Sequence, residues 1–292
     1  MMTKKPVVDS HIKKLLKKID NENIDWMHEK QNLISMIENG GLIERKWQLK
    51  LIEDHSKNNN SIKILDYGCG TGILNILLLL KGFNNVHGVD VIEKFDNRIL
   101  KNMSFDDASF SLIKAKDTNP ITMNSNNNDE KLPFEDNSFD VITSSLVLEH
   151  VANPDFYYSE AARLLKPGGV CFFNFPHRLK PYDSHSRCWF IHYFPKKIRK
   201  ILWDIFSRQG GDYLNNYLYL RTVSTHKKIA KKYFSYAEDR TGDRIKTINF
   251  VNYKGSSKLR NFASKLMGLK YIGNIFVKIF SFNASADLYL VK

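Results

Sequence analysis

One segment limits the fold more than any other: Ile64-Leu65-Asp66-Tyr67-Gly68-Cys69-Gly70-Thr71-Gly72, a glycine-rich turn between a short apolar strand and a strongly apolar helix. Glycines there let the backbone turn tightly and let a ligand approach the amides. The turn opens a β-α-β pattern, with a strand over 62–65, a helix over 73–81 and a second strand over 86–89. Further on come a strand over 139–143, a helix over 155–165, a turn at Lys166-Pro167-Gly168-Gly169 and a strand over 170–175. Short buried strands alternating with helices imply a parallel sheet covered on both faces.

The flanks read differently. Residues 9–56 are expected to be helical, with Asp9 and Ser10 as caps and Ile12, Leu15, Leu16 and Ile19 on one face. A helical stretch is expected over 92–103, and the run Asn124-Ser125-Asn126-Asn127-Asn128 reads as loop. Residues 176–224 break the alternation; they are aromatic and basic and contain His177, His185 and His192. They read as a lid inserted over the open end of the sheet, where such folds bind ligands. A basic amphipathic helix over 258–280 and a strand over 287–291 close the chain. The expected architecture is α/β: a doubly wound, mostly parallel, seven-stranded sheet. Its divisions are an N-terminal helical extension (1–60), a cofactor-binding core (61–175), a lid insertion and helix (176–245), and the basic helix with its closing strand (246–292).

With 292 residues, 42% of them hydrophobic, the chain can bury one sizeable core. No apolar run reaches the ~18 residues of a membrane-spanning helix. The opening Met-Met-Thr-Lys-Lys-Pro is not followed by an apolar signal core, so a cytoplasmic location is expected. Cys69, Cys171 and Cys188 match neither a zinc spacing nor a disulfide framework, so no metal is expected. A formal charge of +13 suits an acidic partner such as nucleic acid, a phosphorylated metabolite or an anionic membrane. Surface lysines that only maintain solubility explain it as well.

The glycines fall at Gly68, Gly70 and Gly72, and Ile73 stands where the third glycine of a dinucleotide-binding turn belongs. That spacing disfavours a pyrophosphate cradle. Asp66 places a carboxylate near a ligand's ammonium group. Asp90, about 20 residues beyond the loop, ends the second strand where an acidic side chain accepts from ribose hydroxyls. Read alone, Asp90 is equally a helix cap.

Together with Leu132-Pro133-Phe134-Glu135-Asp136, Ser144-Ser145-Leu146-Val147-Leu148-Glu149-His150 and Leu164-Leu165-Lys166-Pro167-Gly168-Gly169, these residues resemble the class I methyltransferases of the type 11 (UbiE-like) group over about 62–175. The resemblance implies S-adenosylmethionine as cofactor. It implies that Asp66 and the loop of Gly68, Cys69, Gly70 and Gly72 hold the methionine portion, that Asp90 beside Val91 holds the ribose, and that Ser144 lines the pocket. A Gly-Asp pair usual in the family before Leu-Pro-Phe is replaced by Asn127-Asn128-Asp129-Glu130. Asn128 is the register match for the adenine contact, since its amide oxygen is an acceptor, and Asp129 is the reserve.

The acceptor is narrowed by what is missing. After the fourth strand stands Ser144-Ser145-Leu146, not the Asn/Asp-Pro-Pro-Tyr/Phe of base-amino methyltransferases. No Pro-Cys nucleophile of a cytosine-C5 enzyme follows a strand, and Glu149 lacks the second glutamate of arginine methyltransferases. The expected acceptor is a small molecule, lipid or saccharide, methylated at oxygen. The rivals are an RNA or protein methyltransferase and a non-catalytic methyltransferase-like binding module. The insertion, Phe175 to His185 and then Phe190 to Pro195, is similar to a segment in a subset linked to cell-surface glycan or lipid-linked saccharide pathways. A histidine suits a hydroxyl proton near neutral pH, and the order of preference for the base is His185, His192, His177. The alternative is that these histidines are structural, packed among Tyr182, Trp189 and Phe190. His150 is open to either role. The insertion's cations, Arg178, Lys180, Arg187, Lys196, Lys197, Arg199 and Lys200, suit a phosphate on the acceptor or a solvated face. The 258–280 helix suits peripheral contact with an anionic membrane, or packing on its own domain.

Overall fold

The computed structural model describes residues 43–70, 72–91, 109–114, 131–183, 188–206, 218–247, 272–282 and 284–292. The chain divides into two compact units. The first comprises Met1–Asp117, Leu132–Ser145 and Leu164–Gly169; the second comprises Thr118–Lys131, Leu146–Arg163 and Val170–Lys292.

The first unit contains helix α1 (Ile43–Ser56), strand β1 (Ile64–Tyr67), helix α2 (Ile73–Leu80) and strands β2 (Asn85–Asp90), β3 (Ser109–Lys114) and β4 (Phe139–Ser145). These strands lie in the order β3-β2-β1-β4. All three pairings are parallel, with Asp66 opposite Gly88 on one side and Thr143 on the other. The core is Ile64, Leu65, Leu74, Leu78, Val86, Val141 and Ile142. Helix α2 reads Ile-Leu-Asn-Ile-Leu-Leu-Leu-Leu and is buried from Ile73 to Leu79. Each such side chain contributes ~1.5–3 kcal/mol by leaving water. Its one polar residue, Asn75, donates Nδ2 to the His87 carbonyl at 2.9 Å, which satisfies the donor side of the buried amide.

The second unit contains helix α3 (Pro154–Leu164), most of strand β5 (Leu165–Phe175), helices α4 (Lys196–Phe206) and α5 (Val223–Ala230), strand β6 (Tyr236–Asp239), helices α6 (Thr241–Thr247) and α7 (Ile272–Phe282), and strand β7 (Ala286–Val291). Pro154 begins α3 where its missing N–H costs nothing, and the Asn153 side chain caps the Phe156 amide at 3.2 Å. Strand β7 lies between β5 and β6 and is antiparallel to both. Helix α4 buries Trp203 completely against Ile191 and Leu218.

The α/β class, with parallel strands alternating with helices in the first unit, is borne out. Two local expectations need correction. Lys166-Pro167-Gly168-Gly169 is not a turn before the fifth strand; it lies inside β5. Gly168 takes φ +76°, and a Cβ on Gly169 would come within 2.9 Å of the Lys166 carbonyl, so the strand kinks there without ending. β6 was not foreseen, because Tyr-Ala-Glu-Asp carries no apolar alternation. The expected elements over 9–42, 92–103, 124–128 and 258–271 lie outside the described residues.

Candidate functional site

The carboxyl ends of β1, β2 and β4 meet where β1 has a parallel neighbour on each side. Ligands of open α/β sheets bind at such a switch point. Asp66, in β1, is buried at 2% exposure. The chain then turns back toward β2, where the Gly68 and Cys69 amides both donate to the Val89 carbonyl, at 2.7 and 3.1 Å. The Gly70 amide donates to Asp90 Oδ2 at 2.8 Å, so the tip of the loop is pinned to the end of the second strand. Gly72 follows with φ 74° and starts α2 as its cap. Cys69 is buried beneath the turn, and Val91 is half-buried just past β2.

Gly70 has φ +55°, a left-handed conformation, and among the described residues nothing lies within 4 Å of a Cβ built on it. Packing against those residues is therefore not what requires a glycine here. A bare, left-handed backbone beside two carboxylates fits a nucleoside with a cationic amino-acid tail. Ser144 ends the third side of the site, buried at 1% exposure. Its carbonyl accepts from Gln48 Nε2 of α1 at 2.9 Å, across 96 residues of sequence.

Residues 65–173 match the protein family described as methyltransferase domain. A mitochondrial ubiquinone biosynthesis O-methyltransferase of Dictyostelium discoideum is 31% identical over 113 residues, covering 38% of this chain and 34% of its own length. A demethylmenaquinone methyltransferase of Symbiobacterium thermophilum is 27% identical over 68% of this chain and 74% of its own. A solved S-adenosylmethionine-dependent methyltransferase from Mesorhizobium loti aligns with TM-score 0.47 at 17% identity, over 80% of this chain and 91% of its own. Residues 65–173 carry a class I, type 11 methyltransferase domain. The chain spans 34–49% of the length of the first four curated relatives it matches.

S-adenosylmethionine is the cofactor of this methyltransferase domain. Asp66, Gly68, Cys69, Gly70, Gly72, Asp90, Val91 and Ser144 gather at one end of the domain's parallel strands, while Asn128 and Asp129 lie outside the described residues. Gln48 was missed. A glutamine in a helix carries no local signal when the carbonyl it satisfies is so distant in sequence.

Of the three histidines proposed as bases, His185 lies outside the described residues. The other two belong to the second unit. His192, 5% exposed, stands in the one-turn 3₁₀ helix Ile191–Tyr193, its Nε2 3.1 Å from Asp183 Oδ1 and its ring 6.3 Å from that of Trp203. His177, 6% exposed, packs its ring 6.0 Å from Phe282. Burial pulls its pKa below the ordinary histidine value; the Asp239 carboxylate partly opposes this. Methyltransferase motifs gave no hint of a further buried histidine, His226, whose Nδ1 lies 3.0 Å from the Tyr158 hydroxyl. Among the described residues no cluster of histidine, cysteine, aspartate or glutamate suits a metal ion.

Proposed function

We propose that the chain transfers a methyl group from S-adenosylmethionine to an oxygen of a small-molecule, lipid or saccharide acceptor. The observation that carries this reading is the Gly70-to-Asp90 hydrogen bond at 2.8 Å, which fixes the glycine loop against a strand-end carboxylate. When bound, the cofactor supplies a methyl group on a sulfonium, an electrophile with a good leaving group. The chain's part is to hold and align. Asp66 would hold the ammonium of the methionine portion, the glycine loop would let that portion lie close to the backbone, and Asp90 would hold the ribose hydroxyls. Gln48 keeps the Ser144 backbone fixed at the pocket wall. Alignment of this kind is worth roughly 7–11 kcal/mol of a barrier. Relatives named as O-methyltransferases support oxygen as the accepting atom.

A hydroxyl acceptor gains about 10²–10⁴-fold from a general base. His192 is the proposed base among the described residues, because it is buried with its Nε2 3.1 Å from a carboxylate oxygen of Asp183. His177 is the reserve, and His185 retains the role expected of it from sequence. The test is untargeted. The protein is incubated with methyl-labelled cofactor and fractionated cell extract, and the label is followed. Label in the small-molecule, lipid or saccharide fraction is expected. Label in RNA or protein contradicts the acceptor class, and cofactor binding without label anywhere indicates a binding module.

Peripheral contact with an anionic membrane belongs to the same proposal. Along α4, Ile198, Ile201 and Ile205 are 46, 60 and 66% exposed at three- and four-residue steps, with Lys196, Lys197 and Lys200 between and beside them. In α7, Ile275 and Ile279 are exposed with Lys278. Apolar stripes flanked by lysines suit a lipid headgroup boundary. Among the described residues no helix is long and apolar enough to cross a membrane. Co-sedimentation with phosphatidylglycerol vesicles, and not with phosphatidylcholine vesicles, is the expected result; equal recovery with neither contradicts it.

A further inference from the structure

Within the second unit, the start of α4 and residues 218–220 enclose a cavity of about 230 Å³. Phe194 and Leu218 form its apolar wall, and Arg178, His192, Lys196 and Arg199 bring the polar atoms. Among the described residues no carboxylate lines it. Arg199 Nε is buried and has no hydrogen-bond partner among the described residues. Burial first, and the Arg178 charge second, hold the Arg199 guanidinium below its ordinary pKa, so two cations press on each other across this space. Pro195 and Lys196 lie at the N-terminal end of α4, an 11-residue helix whose unpaired amides add partial positive charge.

A buried donor without a partner is costly, more so when charged, and adjacent like charges add to that cost. Such a cluster is retained where a bound anion completes it. Three formal positive charges match a dianion better than a single carboxylate, and a guanidinium fork fits phosphate oxygens two at a time. The cavity falls below the ~300–1,000 Å³ usual for whole organic ligands. That size suits a charged head group better than a whole organic ligand.

We propose that this cavity is a binding site for the phosphate group of a phosphate ester or diphosphate. The site stands on its own cations and does not depend on the methyl-transfer reading. Calorimetric titration of the full chain with inorganic diphosphate, with glycerol phosphate and with acetate tests it, alongside Arg178→Gln, Arg199→Gln and Arg199→Lys. Arg178 is exposed, so its variant keeps the fold even if Arg199→Gln does not. Diphosphate and glycerol phosphate are expected to bind, acetate about tenfold more weakly or worse, and each Gln variant to lose about tenfold, with Arg199→Lys intermediate. Vesicles containing phosphatidic acid separate the sources. Vesicle binding that requires Arg178 and is displaced by diphosphate assigns a lipid phosphate, and soluble esters binding without vesicles assign a metabolite. Absence of phosphate binding at millimolar concentration, or binding unchanged in both Gln variants, overturns the proposal.

Discussion

His226 shows how a single residue can shape the protein's response to acid. It is 1% exposed, its ring lies 4.3 Å from Phe175, and Tyr158 bonds its Nδ1. Burial, and then the charge of Arg221, lower its pKa from 6.5 to about 3. Between those values the unfolded chain takes up a proton that the folded chain refuses. The contribution to stability is therefore full above pH 6.5 and is lost as pH falls toward 3. From pH 7 to pH 5 this one residue should remove about 2 kcal/mol. Urea unfolding at both pH values, on wild type and His226→Gln, checks it: the pH-dependent loss should shrink in the variant, and an unchanged loss contradicts the account. His87, lowered to about 4 by burial and then by Lys63, should act in the same sense in the first unit. Neither histidine was singled out from sequence. Their neighbours come from other elements, whereas Asp66 and Asp90 were legible because strand-loop-helix spacing alone places them.

Among the elements, the antiparallel end of the second unit is tied by one buried ion pair. Asp287 of β7 accepts from Arg244 Nε of α6 and from Asn174 Nδ2 of β5, the latter at 2.9 Å. Arg244 Nη2 also donates to the Ser285 carbonyl. Both charged side chains are 5% exposed. Removing one partner strands the other away from water, so Arg244→Leu should cost about 3–5 kcal/mol in chemical denaturation. A loss under about 1 kcal/mol would show that the pair is solvated. β7 was anticipated to within a residue because Leu-Tyr-Leu-Val is apolar and β-prone. β6 was not, since a four-residue strand takes its conformation from pairing with β7 and leaves Tyr236 exposed. α4 was also not placed, although Ile198, Ile201, Leu202 and Ile205 recur at three- and four-residue steps with Trp203 buried, because the whole 176–224 stretch reads as an aromatic, basic insertion.

At the scale of the whole molecule, the two units differ in how much of them is local. The cofactor loop, its flanking strands and α2 occupy consecutive sequence, and their pattern was readable at once. The second unit joins residues far apart, such as Asn174 with Asp287 and Tyr158 with His226, which no short window contains. The central claim is that the first unit holds S-adenosylmethionine at its glycine loop. Isothermal calorimetry of the purified chain with S-adenosylhomocysteine, repeated on Gly70→Ala and Asp90→Ala, measures this directly. Binding in the wild type and at least a tenfold loss in each variant, with unfolding midpoints little changed in Asp90→Ala, is the expected result. No heat from the wild type, or binding indifferent to both substitutions, would contradict it.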